Sequence, residues 1–161
     1  MSLLVYLFHP DYDKSTVNRA YVEELKRLPG TEVVIVDGKA PIDVPAEQAR
    51  MERHEKVLWQ FPVRWFSGPP CFCSFLEKVY LPGWAYACEP SAMKLAGKRV
   101  WIAASFGSPD SDEKKGWPAT KITEAMRIIL NYTGQKFEGF FATRGATDLK
   151  GYLQFVEDIR K

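Results

Sequence analysis

The chain has 161 residues, 46% hydrophobic and 26% charged, with 22 basic and 20 acidic side chains and a formal net charge of +2. That length fits one domain, residues 1–161, with a substantial core, and the composition excludes disordered and fibrous classes. So small a charge gives no electrostatic reason to expect nucleic acid, and the outlying quantity is the 14% of aromatic residues, which include five Trp.

In chain order, Leu3 to Phe8 is a continuous apolar run of strand length. No basic region precedes it, and it is too short for a signal peptide or a membrane span. No other stretch approaches ~18 uncharged apolar residues, so a cytoplasmic protein is expected. After the loop HPDYDK, Val17, Tyr21, Leu25 and Leu28 fall at helical spacing, and Pro29-Gly30 ends that helix. EVVIVD from Glu32 to Asp37 is β-branched and reads as a second strand. GKAPIDVP is a loop, AEQARMERHEK a polar helix, and VLWQF from Val57 to Phe61 a third strand.

The Pro/Gly-bounded loop PVRWFSGPP then leads to a helix over Cys71 to Tyr80. RVWIAAS from Arg99 to Ser105 is the fourth strand, and a Gly/Ser/Asp/Lys-rich loop runs from Phe106 to about Trp117. Ile122, Met126, Ile129 and Leu130 share one face of a helix after Pro118. KFEGFFAT from Lys136 is the fifth strand, and Leu149, Tyr152, Leu153, Val156 and Ile159 mark a last amphipathic helix.

Five strand-helix units with buried-looking strands require a parallel sheet covered on both faces, with right-handed crossovers. The expected architecture is α/β, a flavodoxin-like doubly wound five-stranded sheet of order 2-1-3-4-5. Such sheets bind ligands beyond the carboxyl ends of their strands, where the order reverses. Here those are the loops after strands 1, 3 and 4.

After strand 1, HPDYDKSTVN runs into a helix whose N-terminal N–H groups suit a phosphate. His9, Ser15, Thr16 and Asn18 add side-chain donors; the alternative is that Ser15 only caps the helix. No GxGxxG or GxxxxGK[ST] appears, which argues against a Rossmann dinucleotide loop or a P-loop. After strand 3, Trp65 and Phe66 adjoin in a proline-stiffened loop, where a bulky aromatic pair needs a flat heterocycle or a second subunit to cover. After strand 4, Ala104-Ser105-Phe106-Gly107 brings small residues and a hydroxyl to the third place. Cys71, Cys73 and Cys88 lack paired metal-site spacing and are expected to be buried or half-buried structural thiols. His54, on the polar helix, is expected at the surface.

HPxxxxSxxN, QFPxxWFSxPP and LEKVYxxGWAY together resemble the flavodoxin-like NAD(P)H quinone oxidoreductases. The short bacterial members, including the ancillary subunits of glutathione-regulated potassium efflux systems, are the group most similar. The resemblance implies a flavoprotein binding FMN, with FAD the alternative, and taking hydride from NAD(P)H for transfer to a quinone-like acceptor in a ping-pong cycle. It implies that His9, Ser15, Val17 and Asn18 surround the flavin phosphate. Pro62, Val63, Arg64, Trp65 and Phe66 would line the ribityl chain and ring, and Ser105 and Gly107 would complete the ring site. Tyr86 and Phe106 would face the substrate pocket, Tyr86 that of a partner subunit, which implies a homodimer. No catalytic side chain is implied, because the flavin carries the hydride chemistry. The alternative function is a flavin-binding regulatory module docked on a potassium efflux transporter, peripheral at the inner membrane face.

Two departures from the family pattern stand out. Phe106 occupies a place where Gly is common, which puts the loop's shape in question. Arg64 stands where Gln is frequent, and its cation would stabilise an anionic reduced flavin, unless it is simply solvated. The run DSDEKK from Asp110 to Lys115 is expected as a solvated loop or a lid.

Overall fold

The computed structural model describes residues 2–107, 119–145 and 147–161. Five strands form one parallel sheet: β1 (Leu3–Phe8), β2 (Thr31–Val36), β3 (Lys56–Pro62), β4 (Arg99–Phe106) and β5 (Lys136–Arg144), in the order β2-β1-β3-β4-β5. Leu3 pairs with Thr31 on one side and Lys56 on the other, which makes β1 a fully central strand. That is why its sequence is apolar throughout rather than alternating.

Successive side chains of each strand feed opposite layers. Leu4, Tyr6 and Phe8 of β1 join Trp59 and Phe61 of β3 under α2 (Val44–Glu52), α3 (Pro70–Val79) and α5 (Glu124–Tyr132). Phe8 meets Phe72 and Phe75 of α3 edge-on, at 5.0 and 5.3 Å between ring centres. The fully buried Phe75 contributes roughly 1.5–3 kcal/mol by removal of its side chain from water. On the other face, Leu3, Val5, Leu58 and Trp101 pack under α1 (Val17–Leu25) and α6 (Leu149–Arg160). There Tyr21 and Tyr152 stack with ring centres 4.0 Å apart. The β4–β5 register shifts between Val100 and Trp101, bringing Trp101 opposite Gly139. A Cβ at Gly139 would lie 3.1 Å from Trp101 Cδ1, so a larger residue there would crowd the indole.

Several boundaries differ from the sequence reading, each for a physical reason. The first helix ends at Leu25 and the chain turns through Lys26 to Leu28 before Pro29. The helix after Pro118 is split into α4 (Ala119–Ile122) and α5 at Thr123, whose hydroxyl donates back to the Thr120 carbonyl at 2.9 Å. Phe106 belongs to β4 and pairs with Arg144 of β5, so no glycine-only conformation is needed there. His54 is buried, not at the surface: Glu32 of β2 draws Arg50, Arg53 and the His54 ring onto the sheet edge. The ring's Nδ1 also lies 2.8 Å from the Arg50 carbonyl. Among the cysteines Cys71 is buried, and burial pushes its thiol up; Cys88 is half-buried, while Cys73 is exposed on α3, contrary to expectation.

DSDEKK and most of the Phe106 to Trp117 loop lie outside the described residues. Among those described, no helix is long and apolar enough to cross a membrane.

Candidate functional site

Parallel strands end together, and the loops leaving β1, β3 and β4 at their carboxyl ends enclose a cleft of about 500 Å³. Two backbone bonds knit its floor, Val63 N–H to the Ser105 carbonyl at 2.8 Å and Gly145 N–H to the Phe106 carbonyl at 2.9 Å. His9, Ser15, Val17 and Asn18 line it from the first loop, Pro62, Val63 and Arg64 from the second, and Ser105, Phe106 and Gly107 from the third. The three places expected from topology are therefore one site. Thr16, expected as a hydroxyl donor, lines it as well, and so do Asp11, Lys14 and Gly145, which were not singled out from sequence. Lys14 sits one residue before Ser15, and that proximity is the signal that could have found it.

Trp65, Phe66 and Tyr86 are not in this lining. Arg64 and Ser67 exchange backbone hydrogen bonds at 2.9 and 3.0 Å, closing a two-residue turn over Trp65 and Phe66. Both central residues have positive φ, 47° for Trp65 and 60° for Phe66. This is the geometry of a turn that normally carries Asn-Gly, and it holds two bulky aromatics in the left-handed region. The turn turns Trp65 outward, leaving it 94% exposed, with Phe66 52% exposed. Tyr86 is half-buried against Tyr132, with ring centres 5.4 Å apart.

The start of α1 shapes the cleft's polarity. Its N-cap is Thr16, which makes no side-chain cap bond, whereas Asp43 and Asp148 cap α2 and α6 through their carboxylates. Among the described residues Ser15 makes no side-chain hydrogen bond to the helix N–H groups either, and it lines the cleft. The first return bond in α1 is Ala20 N–H to the Thr16 carbonyl at 3.2 Å. The N–H groups before it have no intrahelical acceptor, and Val17 and Asn18, which carry two of them, line the cleft.

His9 is 6% exposed, and its Nδ1 accepts the Asp11 backbone N–H at 3.1 Å. That bond places the ring proton on Nε2, leaving Nε2–H as a donor. Burial first, and then the Arg64 charge, hold the His9 pKa below the ordinary histidine value. His9 is thus a neutral donor near pH 7 rather than an imidazolium. Asn18 is buried, with its Nδ2 donating to Ser105 Oγ at 2.8 Å and its Oδ1 accepting from Gln60 Nε2 at 3.0 Å. Gln60 was not singled out from sequence, although an amide inside the apolar run VLWQF is a visible signal. Among the described residues no group of three or more His, Cys, Asp or Glu is placed to hold a metal ion.

A family model for the flavodoxin-like fold matches residues 1–160. The uncharacterized NAD(P)H oxidoreductase YrkL of Bacillus subtilis is 31% identical over 156 residues, 92% of this chain and 88% of the relative. The glutathione-regulated potassium-efflux system ancillary protein KefF of Klebsiella pneumoniae is 35% identical over 149 residues, 88% of this chain and 81% of its own. The crystal structure of general stress protein 14 from Treponema denticola, in complex with FMN, superposes with a TM-score of 0.87 at 24% identity, covering 99% of each chain. With a parallel sheet of order 2-1-3-4-5, a cleft at its reversal point and relatives of this kind, the chain belongs to the flavodoxin-like NAD(P)H oxidoreductase family.

Proposed function

We propose that the cleft holds FMN and that the protein is an NAD(P)H:quinone oxidoreductase. The observation that carries this reading is the uncapped start of α1, opening into a 500 Å³ cleft beside the Ser15 and Thr16 hydroxyls and the His9 Nε2–H. Neutral donors and helix N–H groups lining one cleft suit a phosphate ester. The volume lies within the 300–1,000 Å³ or so typical of small-molecule sites. FMN is favoured over FAD because general stress protein 14 of Treponema denticola, which shares the fold, was solved in complex with FMN.

When bound, FMN supplies hydride acceptance from NAD(P)H and hydride return to the quinone. The protein's own groups orient and polarise. Ser15, Thr16, Val17, Asn18 and His9 hold the phosphate end. Pro62, Val63 and Arg64 would flank the ribityl chain and ring, Ser105 and Gly107 would complete the flavin site, and Phe106 would line the substrate side. Arg64 adds a positive charge where negative charge develops on reduction. The exposed Trp65 and Phe66 present a flat apolar surface for the ring and for a second copy of the chain, whose Tyr86 would reach the substrate pocket. Donor and acceptor would then share one stacking face in turn, which predicts ping-pong kinetics. Initial rates at several quinone concentrations test this: parallel double-reciprocal lines against NAD(P)H are expected, and intersecting lines would refute the shared face.

The identity with KefF favours a second reading, a flavin-binding module on the cytosolic side of a potassium efflux transporter. Stable binding to such a transporter's cytosolic domain, with FMN bound and no quinone turnover, would select it.

A further inference from the structure

A buried chain of four side chains ends at the cleft. Tyr152 of α6 donates its hydroxyl to Gln60 Oε1, Gln60 Nε2 donates to Asn18 Oδ1 at 3.0 Å, and Asn18 Nδ2 donates to Ser105 Oγ at 2.8 Å. It lies along the face of the sheet covered by α1 and α6, from Tyr152 to the carboxyl ends of the strands where the cleft opens, and no candidate role so far uses Tyr152 or Gln60.

The direction of the chain is set at its buried end. Tyr152 is 0% exposed, and the bond to Gln60 is the one its hydroxyl makes among the described residues. A buried hydroxyl must donate its proton or suffer the full desolvation cost. Tyr152 therefore fixes Gln60 with Oε1 toward it and Nε2 toward Asn18. Gln60 in turn fixes Asn18 with Nδ2 toward Ser105. The gap beside Asn18, Tyr21, Gln60 and Phe141 has no room for a water molecule that could substitute. Ser105 Oγ thus accepts a hydrogen bond from inside, which leaves its own proton free to donate into the cleft that Ser105 lines.

We propose that Tyr152, Gln60 and Asn18 are positioning residues that make Ser105 a dedicated donor to an unprotonated oxygen of the bound ligand. This rests on the FMN reading, and the oxygen is one of its phosphoryl, ribityl or ring acceptors. Reversing the chain would turn Ser105 lone pairs toward that oxygen and weaken binding.

The test measures FMN affinity by quenching of flavin fluorescence. Ser105→Ala is expected to bind about tenfold more weakly, with Ser105→Thr restoring affinity, as for loss of one donor. An equal loss for riboflavin puts the acceptor on the ribityl chain or ring, and a loss confined to FMN puts it on the phosphate; either supports the assignment. Gln60→Glu tests the relay. The groups facing position 60 are Asn18 and Tyr21 of α1, Ser105 of β4 and Tyr152 of α6, and burial pushes both tyrosines up, so none is charged. A protonated carboxyl there still donates to Asn18. Once ionised it can only accept, from Tyr152 and from a turned Asn18 amide, which then takes the Ser105 proton. Its FMN affinity relative to wild type is therefore expected to fall about tenfold between about pH 5 and 9, as that carboxyl ionises. Wild type measured at each pH removes the titrations of His9 and of the phosphate.

In the Ser105→Ala background the same substitution is expected to give a ratio independent of pH, since the acting hydroxyl is gone. A flat ratio in the Ser105 protein, an undiminished fall in the Ser105→Ala protein, or full affinity in Ser105→Ala alone would overturn the proposal. Wild-type protein that binds neither FMN nor FAD would instead overturn the FMN reading.

Discussion

Trp65 offers a perturbation whose sign runs against ordinary expectation for removing a tryptophan. At φ 47° it occupies the left-handed region, which costs a side-chain-bearing residue roughly 1–2 kcal/mol. At 94% exposure it recovers almost nothing by burial. Asparagine tolerates that region through local hydrogen bonding, so Trp65→Asn relieves most of the strain. The net expectation is a gain of about 1 kcal/mol in the flavin-free monomer. The same arithmetic at Phe66 differs. Phe66 is half-covered, so the ~1 kcal/mol lost with its contacts cancels the relief, and Phe66→Gly is expected to be neutral. Urea unfolding, at a concentration where sedimentation gives the monomer mass, reads both. With a slope near 1–3 kcal/mol/M, Trp65→Asn should raise the midpoint by roughly 0.3–1 M without changing the slope. A lower midpoint would refute the claim that the turn stores strain. FMN affinity should fall in the same variant, separating the residue's use from its cost.

Other consequences follow from the same structure. The His9 pKa is lower in the folded protein than in the unfolded chain, so protonation favours unfolding. Its contribution to stability is complete above the ordinary histidine pKa and is lost as pH falls from there through the lowered value; His9→Gln should remove that part of the stability-pH profile, and an unchanged profile would contradict it. Arg64→Gln should make the midpoint potential of bound flavin more negative by about 30 mV, about 1.4 kcal/mol for a two-electron couple. An unchanged potential would show the guanidinium to be merely solvated. Gly139→Ala pushes a methyl to 3.1 Å from Trp101 Cδ1 and should cost roughly 1–3 kcal/mol by thermal unfolding, whereas a neutral effect would mean that the β4–β5 bulge relaxes freely.

The strands and their order were legible because each is a short run rich in β-branched, aromatic or other apolar residues, and five such runs alternating with helices leave few topologies. The three ligand loops followed from that order alone. Local identity misled where distant contacts decide. Phe106 looked like a misfit in a glycine loop, yet the strand extends through it, where the Arg144 guanidinium lies 4.4 Å from its ring centre. His54 looked solvated because its helix is polar, and Glu32, distant in sequence, buries it. Nothing in a Trp-Phe pair announces a turn built for Asn-Gly, since side-chain type argues against that backbone. Gln60 could have been noticed as a lone amide in a buried strand. Its partners lie on α1 and α6, and no sequence spacing connects them.

The central claim is that the cleft holds FMN. Absorbance of the purified protein, followed by the mass of the chromophore released on denaturation, tests it most directly. A yellow protein releasing FMN, one per chain, is the expected result. A colourless protein that shows no saturable binding of added FMN would contradict the account.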